Sequence, residues 1–374
     1  MRRAHLALGT LIVVALMSAA SAQTPSVTPE QMAEYRAKLD EYNAARAAYQ
    51  VQATPYWAAV KARRAARFAK RRAHGEIALD DYVLTQPPQY TGPKKPVDPS
   101  STAREVPMVA DFLQHAAVEF DFVPEKPASE IEFKRAYARV ASKAGLSREQ
   151  AVRIYAFEAT GNGKYDLEAG QEFDPNANAI TTALGYNQLL ATNSVELLAE
   201  EGKLFLDALK ARAAGASGAR KAALERKIAI VQKMVAFTKS VRDDWNLHEQ
   251  LAGTAKGLGV HALNLDIDIG PLLQTQKLMT SVKFAKARGY SAPLTAAELE
   301  MMNLTGDGNG FDMVTLSQEM RGKVPTSNFF TQSGYEHNPV ARKNNTVAAL
   351  LAATDAVMDR ETQLPGAKDL AAAF

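Results

Sequence analysis

The chain has 374 residues, no cysteine and a formal net charge of +3. Hydrophobic residues make up 47% of it and charged residues 23%, a balance that is typical of globular proteins and excludes an intrinsically disordered chain. Burial of apolar surface must therefore hold the fold without disulfides, and the length suggests roughly two domains.

The first 22 residues have the pattern of a cleavable signal peptide. Arg2 and Arg3 precede an apolar run from Leu6 to Met17, and small residues follow up to Ala22, just before Gln23. The run is shorter than the roughly 20 residues of a membrane helix. We expect secretion across the inner membrane, a periplasmic mature protein and no transmembrane segment once the signal is removed.

Residues 23–85 are expected to form a helical arm. Thr28 and Pro29 are suited to the N-cap and first position of a helix, and two helical stretches follow, to about Gln52 and from about Tyr56 to His74. Both contain few large apolar residues. The pattern therefore predicts an arm without a core of its own.

The arm carries a run of cations that contains no acid. Its members are Lys61, Arg63, Arg64, Arg67, Lys70, Arg71 and Arg72. A solvated helix face is the simplest interpretation, and contact with an anionic envelope surface is the alternative. Nucleic acid is not expected as a partner of an exported protein.

Residues 86–127 are predicted to be a proline-rich linker. Its prolines are Pro87, Pro88, Pro93, Pro96, Pro99, Pro107, Pro124 and Pro127. Such density disfavours long helices and favours extended structure.

Residues 128–374 are predicted to form one mostly α domain, because good helix formers dominate and glycine or proline marks the turns. A long charged helix pair, about Val195–Ala213 and Ala219–Trp245, is expected as an insertion within it.

One helix of this domain places a carboxylate on an apolar stripe. Ser147 and Gln150 form a capping box at its start, and Glu158 shares a face with Ile154 and Tyr155 near its end. Burial and the negative end of the helix dipole would both raise the pKa of Glu158, as a general acid requires. The alternative is that Glu158 points outward or pairs with a lysine.

Four segments resemble soluble lytic transglycosylases of the lysozyme-like superfamily. They are Ile154–Glu158, Ala183–Thr192, Asn264–Leu273 and Met302–Gly308, in the order found in that family. Glu158 matches the catalytic glutamate, Gly185 and Gln188 match the glycine and glutamine of a cleft segment, and Asn303 is similar to a cleft asparagine. Ala159 and Thr160 replace the usual Ser-Gly.

The resemblance implies a lysozyme-like fold and cleavage of the bond between N-acetylmuramic acid and N-acetylglucosamine in peptidoglycan. Glu158 would act as acid and then base, giving a 1,6-anhydro product with no cofactor. Gln188 and Asn303 would hydrogen-bond the sugar, and Tyr186 or Tyr335 would stack on it. A non-catalytic protein that binds peptidoglycan or a partner on the same fold is the alternative.

Other polar clusters are less specific. A hydrolase would need a second carboxylate, and the candidates are Asp166, Glu168, Glu172 and Asp174, although a solvated acidic loop is the simpler interpretation of these residues. The glycine-rich segments 160–163 and 305–310 lack the ligand spacing of a calcium loop. His261, Asp266 and Asp268 match no metal-ligand motif, and no metal site is predicted.

Overall fold

A computed structural model describes residues 27–101, 106–159, 166–168, 179 and 181–374. These residues are mostly helical and contain no β-strand, only two isolated β-bridges, which confirms the mostly α class. The predicted signal peptide and its cleavage site lie outside the described residues. No helix in the described part of the chain is both long and apolar enough to span a bilayer.

Sixteen α-helices follow one another in the described residues. They are α1 (Pro29–Arg72), α2 (Val109–Phe120), α3 (Glu130–Ala144), α4 (Arg148–Ala159), α5 (Ala191–Ala214), α6 (Gly218–Thr238), α7 (Trp245–Ala252), α8 (Ala255–His261), α9 (Gly270–Ala287), α10 (Ala296–Thr305), α11 (Asp307–Val314), α12 (Gln318–Lys323), α13 (Gln332–Glu336), α14 (Pro339–Lys343), α15 (Val347–Glu361) and α16 (Pro365–Ala373). Short 3-10 helices are Leu79–Asp81, Asp166–Glu168, Ala262–Leu265 and Thr326–Phe329.

The described residues fall into two compact units, one within Met1–Ala48 and Thr91–Ala103 and the other within Tyr49–Tyr90 and Arg104–Phe374. In the first, Thr28 Oγ1 accepts a hydrogen bond from the Gln31 amide at 3.2 Å, and the Gln31 side chain accepts one from the Thr28 amide at 2.9 Å. This capping explains why α1 begins at Pro29, as the sequence predicts.

Helix α1 differs from the predicted arm in two ways. It runs without a break through Pro55, where two helical stretches were expected. Within the second unit, its residues Ala53, Trp57 and Val60 are buried in the core. Apolar residues are few here, but their spacing of four and three places them on one face, so that face packs inward.

The basic run divides between the surface and the interior: Lys61, Arg63, Lys70 and Arg72 are exposed, as a solvated face requires, whereas Arg64, Arg67 and Arg71 are buried or half-buried. Arg67 is fully buried, and its Nε donates to Asp312 Oδ2 at 2.7 Å. Arg71 forms a second ion pair with Asp312, at 2.5 Å, and Lys70 pairs with Asp81 at 2.7 Å. These cations neutralise internal acids, which limits what the run can offer to an anionic surface.

The proline-rich segment contains a helix that the sequence analysis did not predict. Helix α2 occupies the stretch between Pro107 and Pro124, where no proline interrupts the chain. Its Phe112 and Ala116 are buried, and it packs against α8. The prediction used the proline content of the whole segment and so overlooked a proline-free stretch that is long enough for three helical turns.

The predicted charged helix pair corresponds to α5 and α6, which pack against each other. The second helix ends at Thr238, seven residues earlier than predicted, and Trp245 instead begins α7. Asp244 explains this start, because its side chain accepts hydrogen bonds from the amides of Asn246 and Leu247.

The core that positions the site lies where α4 packs against α10, α15 and α16. Ile154 and Tyr155 of α4 are fully buried there, as are Leu299 and Met302 of α10. Burial of side chains this size contributes roughly 1.5 to 3 kcal/mol each, so the two helices are held at a fixed separation.

Candidate functional site

Glu158 lies in the last turn of α4, as the sequence predicts. Ser147 Oγ accepts from the Gln150 amide at 3.1 Å, and the Gln150 side chain accepts from the Ser147 amide at 3.0 Å, which confirms the capping box. With the start of the helix fixed, the register puts Glu158 one turn after the buried Ile154, and its side chain is half-buried.

Two side chains of α10 meet this carboxyl group. Asn303 Nδ2 donates to Glu158 Oε1 at 3.3 Å and lies 3.4 Å from Glu300 Oε2, so one amide group bridges two carboxyl groups. Glu300 is fully buried, and it lies close enough to Glu158 for each of the two acids to shift the pKa of the other. The two carboxyl groups and the amide therefore form one polar cluster.

Burial raises the pKa of Glu158, although its hydrogen bonds with Glu300 and Asn303 and the positive charge of Lys277 act in the opposite direction. Burial, together with the charge of Glu158, raises the pKa of Glu300 well above its ordinary value. Two carboxylates close together repel each other in a medium of low dielectric constant, so the loss of one proton from the pair makes the second proton harder to remove.

The sequence of α10 explains why Glu300 and Asn303 act together. Thr295 and Glu298 form a capping box at the start of the helix and fix its register. Residues three apart lie on the same face of a helix, so Glu300 and Asn303 point to one side. That side packs against α4, which brings both to Glu158.

Asn303 lines an open cleft of about 610 Å³, whereas Glu158 and Glu300 are not among its lining residues. Its walls come from α5, α7, α9, α10 and α11, and its charged and aromatic members are Glu196, Glu200, Trp245, Lys277 and Asp307. The Trp245 side chain is 43% exposed. The cleft thus combines an acidic wall, one lysine among its lining residues and an accessible indole ring.

Glu196 is the most perturbed acid of the cleft wall. Burial raises the pKa of Glu196 to about 7, and the neighbouring charges of Glu200 and Asp307 add to this effect against that of Lys277. It therefore changes its charge in the physiological range, so the net charge of the cleft depends on pH.

Gly185 and Gln188 form a tight turn and are not among the residues that line this cleft. The amides of Leu184 and Leu189 each donate to the other's carbonyl at 3.0 Å, which closes the turn. Gly185 has φ of +83° and Gln188 of +43°, and the Gln188 side chain donates to the Gly185 carbonyl at 2.9 Å. A Cβ on Gly185 would lie 2.1 Å from Gln274 Nε2, so the glycine allows this close approach.

Neither tyrosine predicted to stack on a sugar has a free face. Tyr186 is fully buried against Phe133, Tyr137 and Tyr155, and its hydroxyl donates to Glu130. Tyr335 is also buried, where it packs against Trp57 and Phe330. Contrary to the expectation, both rings belong to the core. The sequence identified them as aromatic residues but could not show how deeply they are buried.

The predicted second carboxylates are used elsewhere where the structure describes them. Asp166 is buried, accepts a hydrogen bond from the Tyr155 hydroxyl and lies 3.4 Å from Lys134 Nζ. Glu168 pairs with Lys126 at 3.0 Å. Glu172 and Asp174 lie outside the described residues.

The residues His261, Asp266 and Asp268 serve the fold. His261 Nδ1 contacts Ser194 Oγ at 2.8 Å and its Nε2 contacts the Thr182 carbonyl at 2.7 Å. Lys227 Nζ lies 2.9 Å from Asp266 and 2.6 Å from Asp268. No group of metal-ligating side chains occurs among the residues that the structure describes.

The sequence analysis missed Glu300, Glu196 and Lys277. Glu300 had a usable signal, because it precedes Asn303 by three residues and so shares its helix face. Glu196 and Lys277 follow the segments Ala183–Thr192 and Asn264–Leu273 closely, but nothing in the sequence shows that their helices face the same cleft.

No protein-family model, curated protein or solved structure matches the chain. The fold and site define a mostly α protein with a pair of carboxyl groups of raised pKa beside an open acidic cleft.

Proposed function

We propose that the chain is an exported peptidoglycan lytic transglycosylase that cleaves the bond between N-acetylmuramic acid and N-acetylglucosamine. In this proposal residues 128–374 form a lysozyme-like domain with α5 and α6 inserted, and the mature protein works in the periplasm. Glu158 is the catalytic residue. No cofactor is required.

The contact between Asn303 and Glu158 carries the proposal. These residues are 145 positions apart in the chain, and the Asn303 amide lies 3.3 Å from the Glu158 carboxyl group. The two were singled out from separate motifs of one enzyme family, so their contact, beside a cleft that Asn303 lines, supports a common role.

The chemistry uses Glu158 twice. Its protonated carboxyl group donates a proton to the glycosidic oxygen as the bond to the muramyl anomeric carbon breaks. The carboxylate that remains then accepts the proton of the muramyl 6-hydroxyl, whose oxygen bonds to the anomeric carbon. The product is a 1,6-anhydro sugar, and no water is consumed.

The cleft residues would hold the glycan through its polar and apolar faces. The Asn303 amide can turn between the carboxyl groups and a sugar hydroxyl or acetamido group. The exposed Trp245 ring offers an apolar surface with a polar edge, which suits the faces of a sugar. Gly185 and Gln188 contribute by fixing the turn before α5.

The test compares wild-type protein with Glu158→Gln and Glu149→Gln on purified sacculi, with mass spectrometry of the released fragments. Glu149 lies on the same helix and is exposed, so its change is a matched control. We expect anhydro-muramyl products from the wild type and the control, and none from Glu158→Gln.

Other outcomes would replace the proposal. Fragments heavier by one water would identify a hydrolase. If no protein released fragments but the wild type pelleted with sacculi, the chain would be a non-catalytic peptidoglycan-binding protein. Release by Glu158→Gln at the wild-type rate would show that Glu158 is not the catalytic acid.

A further inference from the structure

Glu300 is a buried acid that the mechanism above does not use. It is fully buried on α10, and its Oε1 receives no hydrogen bond from a donor in the described part of the chain. An ionised carboxylate at this buried position would have a high free energy, because burial removes the water that would hydrogen-bond to Oε1 and no donor among the described residues takes its place. A protonated carboxyl group has a smaller cost and can itself donate a hydrogen bond.

Glu158 is the acid whose charge raises the pKa of Glu300. Asn303 holds the two in place, since its amide lies 3.3 Å from Glu158 and 3.4 Å from Glu300. An amide group that bridges two oxygens restricts how far either can move. The geometry thus aims the Glu300 hydroxyl at the acid that would do the chemistry.

We propose that Glu300 is a positioning residue that stays protonated and donates a hydrogen bond to the Glu158 carboxylate whenever Glu158 has released its proton. This inference rests on the proposed function. Before reaction both carboxyl groups hold a proton. After Glu158 protonates the leaving oxygen, the pair shares one proton and one negative charge, and the 6-hydroxyl proton then restores the first state.

Lys277 is the cation that acts on this pair, from α9, and it lowers the pKa of both acids. Several other charged groups of the helices around the pair have partners of their own. They are Arg153 with Asp355 and Asp359, Asp312 with Arg67 and Arg71, Glu298 with Arg321, Arg360 with Glu361, and Asp307 with Ser281. The proton balance of the pair is therefore set mainly by its own two members and Lys277.

The decisive variants differ in whether position 300 can donate. Glu300→Gln keeps an N–H donor without an acid, whereas Glu300→Met keeps similar volume without a donor. A hydrogen bond to a carboxylate favours its ionised form, so losing the donor raises the pKa of Glu158. We expect the Glu158 titration to move up by about one to two pH units in Glu300→Met and to stay near the wild-type position in Glu300→Gln.

The titration is read by NMR on full-length protein with ¹³C-labelled glutamate carboxyl groups, and the Glu158 signal is assigned by its loss in Glu158→Gln. Glu149→Gln is the control that removes an exposed carboxyl group from the same helix. Equal shifts in Glu300→Gln and Glu300→Met, or a downward shift in Glu300→Met, would overturn the proposal.

A result remains available if Glu300→Met does not fold. In the wild type we expect the Glu300 carboxyl signal to stay protonated at pH values where Glu158 has ionised, and the reverse order would overturn the proposal. None of these readouts requires catalysis. If the sacculus assay fails while the titrations hold, the proposed function is wrong and the proton-sharing pair stands.

Discussion

Asn303 connects the carboxyl pair to the cleft, so its amide acts on both at once. It donates toward Glu158 and Glu300 and lines the cleft from the same position. A single side chain can therefore hold the acid in place and also touch the ligand. This arrangement makes Asn303 more sensitive to substitution than its partial exposure suggests.

We predict that Asn303→Ala lowers kcat/KM on glycan strands by about ten- to a hundredfold, because a hydrogen bond to a charged group contributes roughly 1.5 to 3 kcal/mol. Asn344→Ala is the control, since the Asn344 side chain donates a hydrogen bond to the Val340 carbonyl one turn earlier but is not among the residues that line the cleft. A similar loss in both variants would point to general destabilisation.

Gly185 allows a prediction about backbone geometry at the turn before α5. Gly185→Ala combines a φ of +83° with a Cβ only 2.1 Å from Gln274 Nε2. Gly289 has nearly the same φ, +82°, but open space around it. Gly289→Ala should therefore cost about 1 to 2 kcal/mol of unfolding free energy from the left-handed conformation alone, and Gly185→Ala clearly more.

Urea denaturation of both variants measures this difference. The Gln274 side chain accepts from the Asn187 amide at 2.8 Å and donates to Asn264 at 2.8 Å, so displacing it breaks a buried network. Equal losses in the two variants would show that Gln274 moves aside without cost.

The residues that sequence reasoning located share one property, which is that their role is visible within a few positions. Ser147 and Gln150 cap α4 locally, and the stripe through Ile154 sets the direction of Glu158. Glu300 needed the packing of α10 on α4 to acquire a role. The depth of Tyr186 likewise depends on helices from distant parts of the chain.

At the scale of the helix, the second half of α1 is fixed by ion pairs with α11. Asp312 is fully buried and receives Arg67, Arg71 and the Tyr82 hydroxyl. The sequence shows seven cations between residues 61 and 72, but it cannot show that an acid 245 positions after Arg67 lies against them. An exposed helix was the natural expectation, because that acid comes from another helix.

We predict that Arg67→Met lowers the free energy of unfolding by about 3 kcal/mol. The substitution removes one of the two cations that pair with the buried negative charge of Asp312. Lys61→Met on the same helix removes a cation that is exposed and should leave stability nearly unchanged. Chemical denaturation of both variants is the measurement. A loss in Lys61→Met equal to that in Arg67→Met would contradict the assignment of Arg67 as the anchor.

For the whole molecule, buried titratable groups couple stability to pH in opposite directions. The carboxyl pair has raised pKa values, so the folded state binds more protons than the unfolded state and is stabilised as pH falls. Burial lowers the pKa of His261 from its ordinary 6.5 to about 4, so here the unfolded state binds more protons. The net slope is the sum of these contributions, and single substitutions are needed to separate them.

The His261 contribution is testable because its sign is fixed. Above pH 6.5 the imidazole is neutral in both states and has no effect; as pH falls from 6.5 toward 4 the unfolded chain gains a proton that the folded protein does not bind, and stability is lost. The full loss of unfolding free energy is about 3 kcal/mol for a pKa difference of this size.

Urea unfolding of wild type and His261→Gln between pH 7 and pH 4 should show the wild type losing more stability, because a glutamine side chain at this position does not titrate. Parallel curves for the two proteins would mean that His261 is protonated in the folded state, where its charged ring would donate to the Thr182 carbonyl.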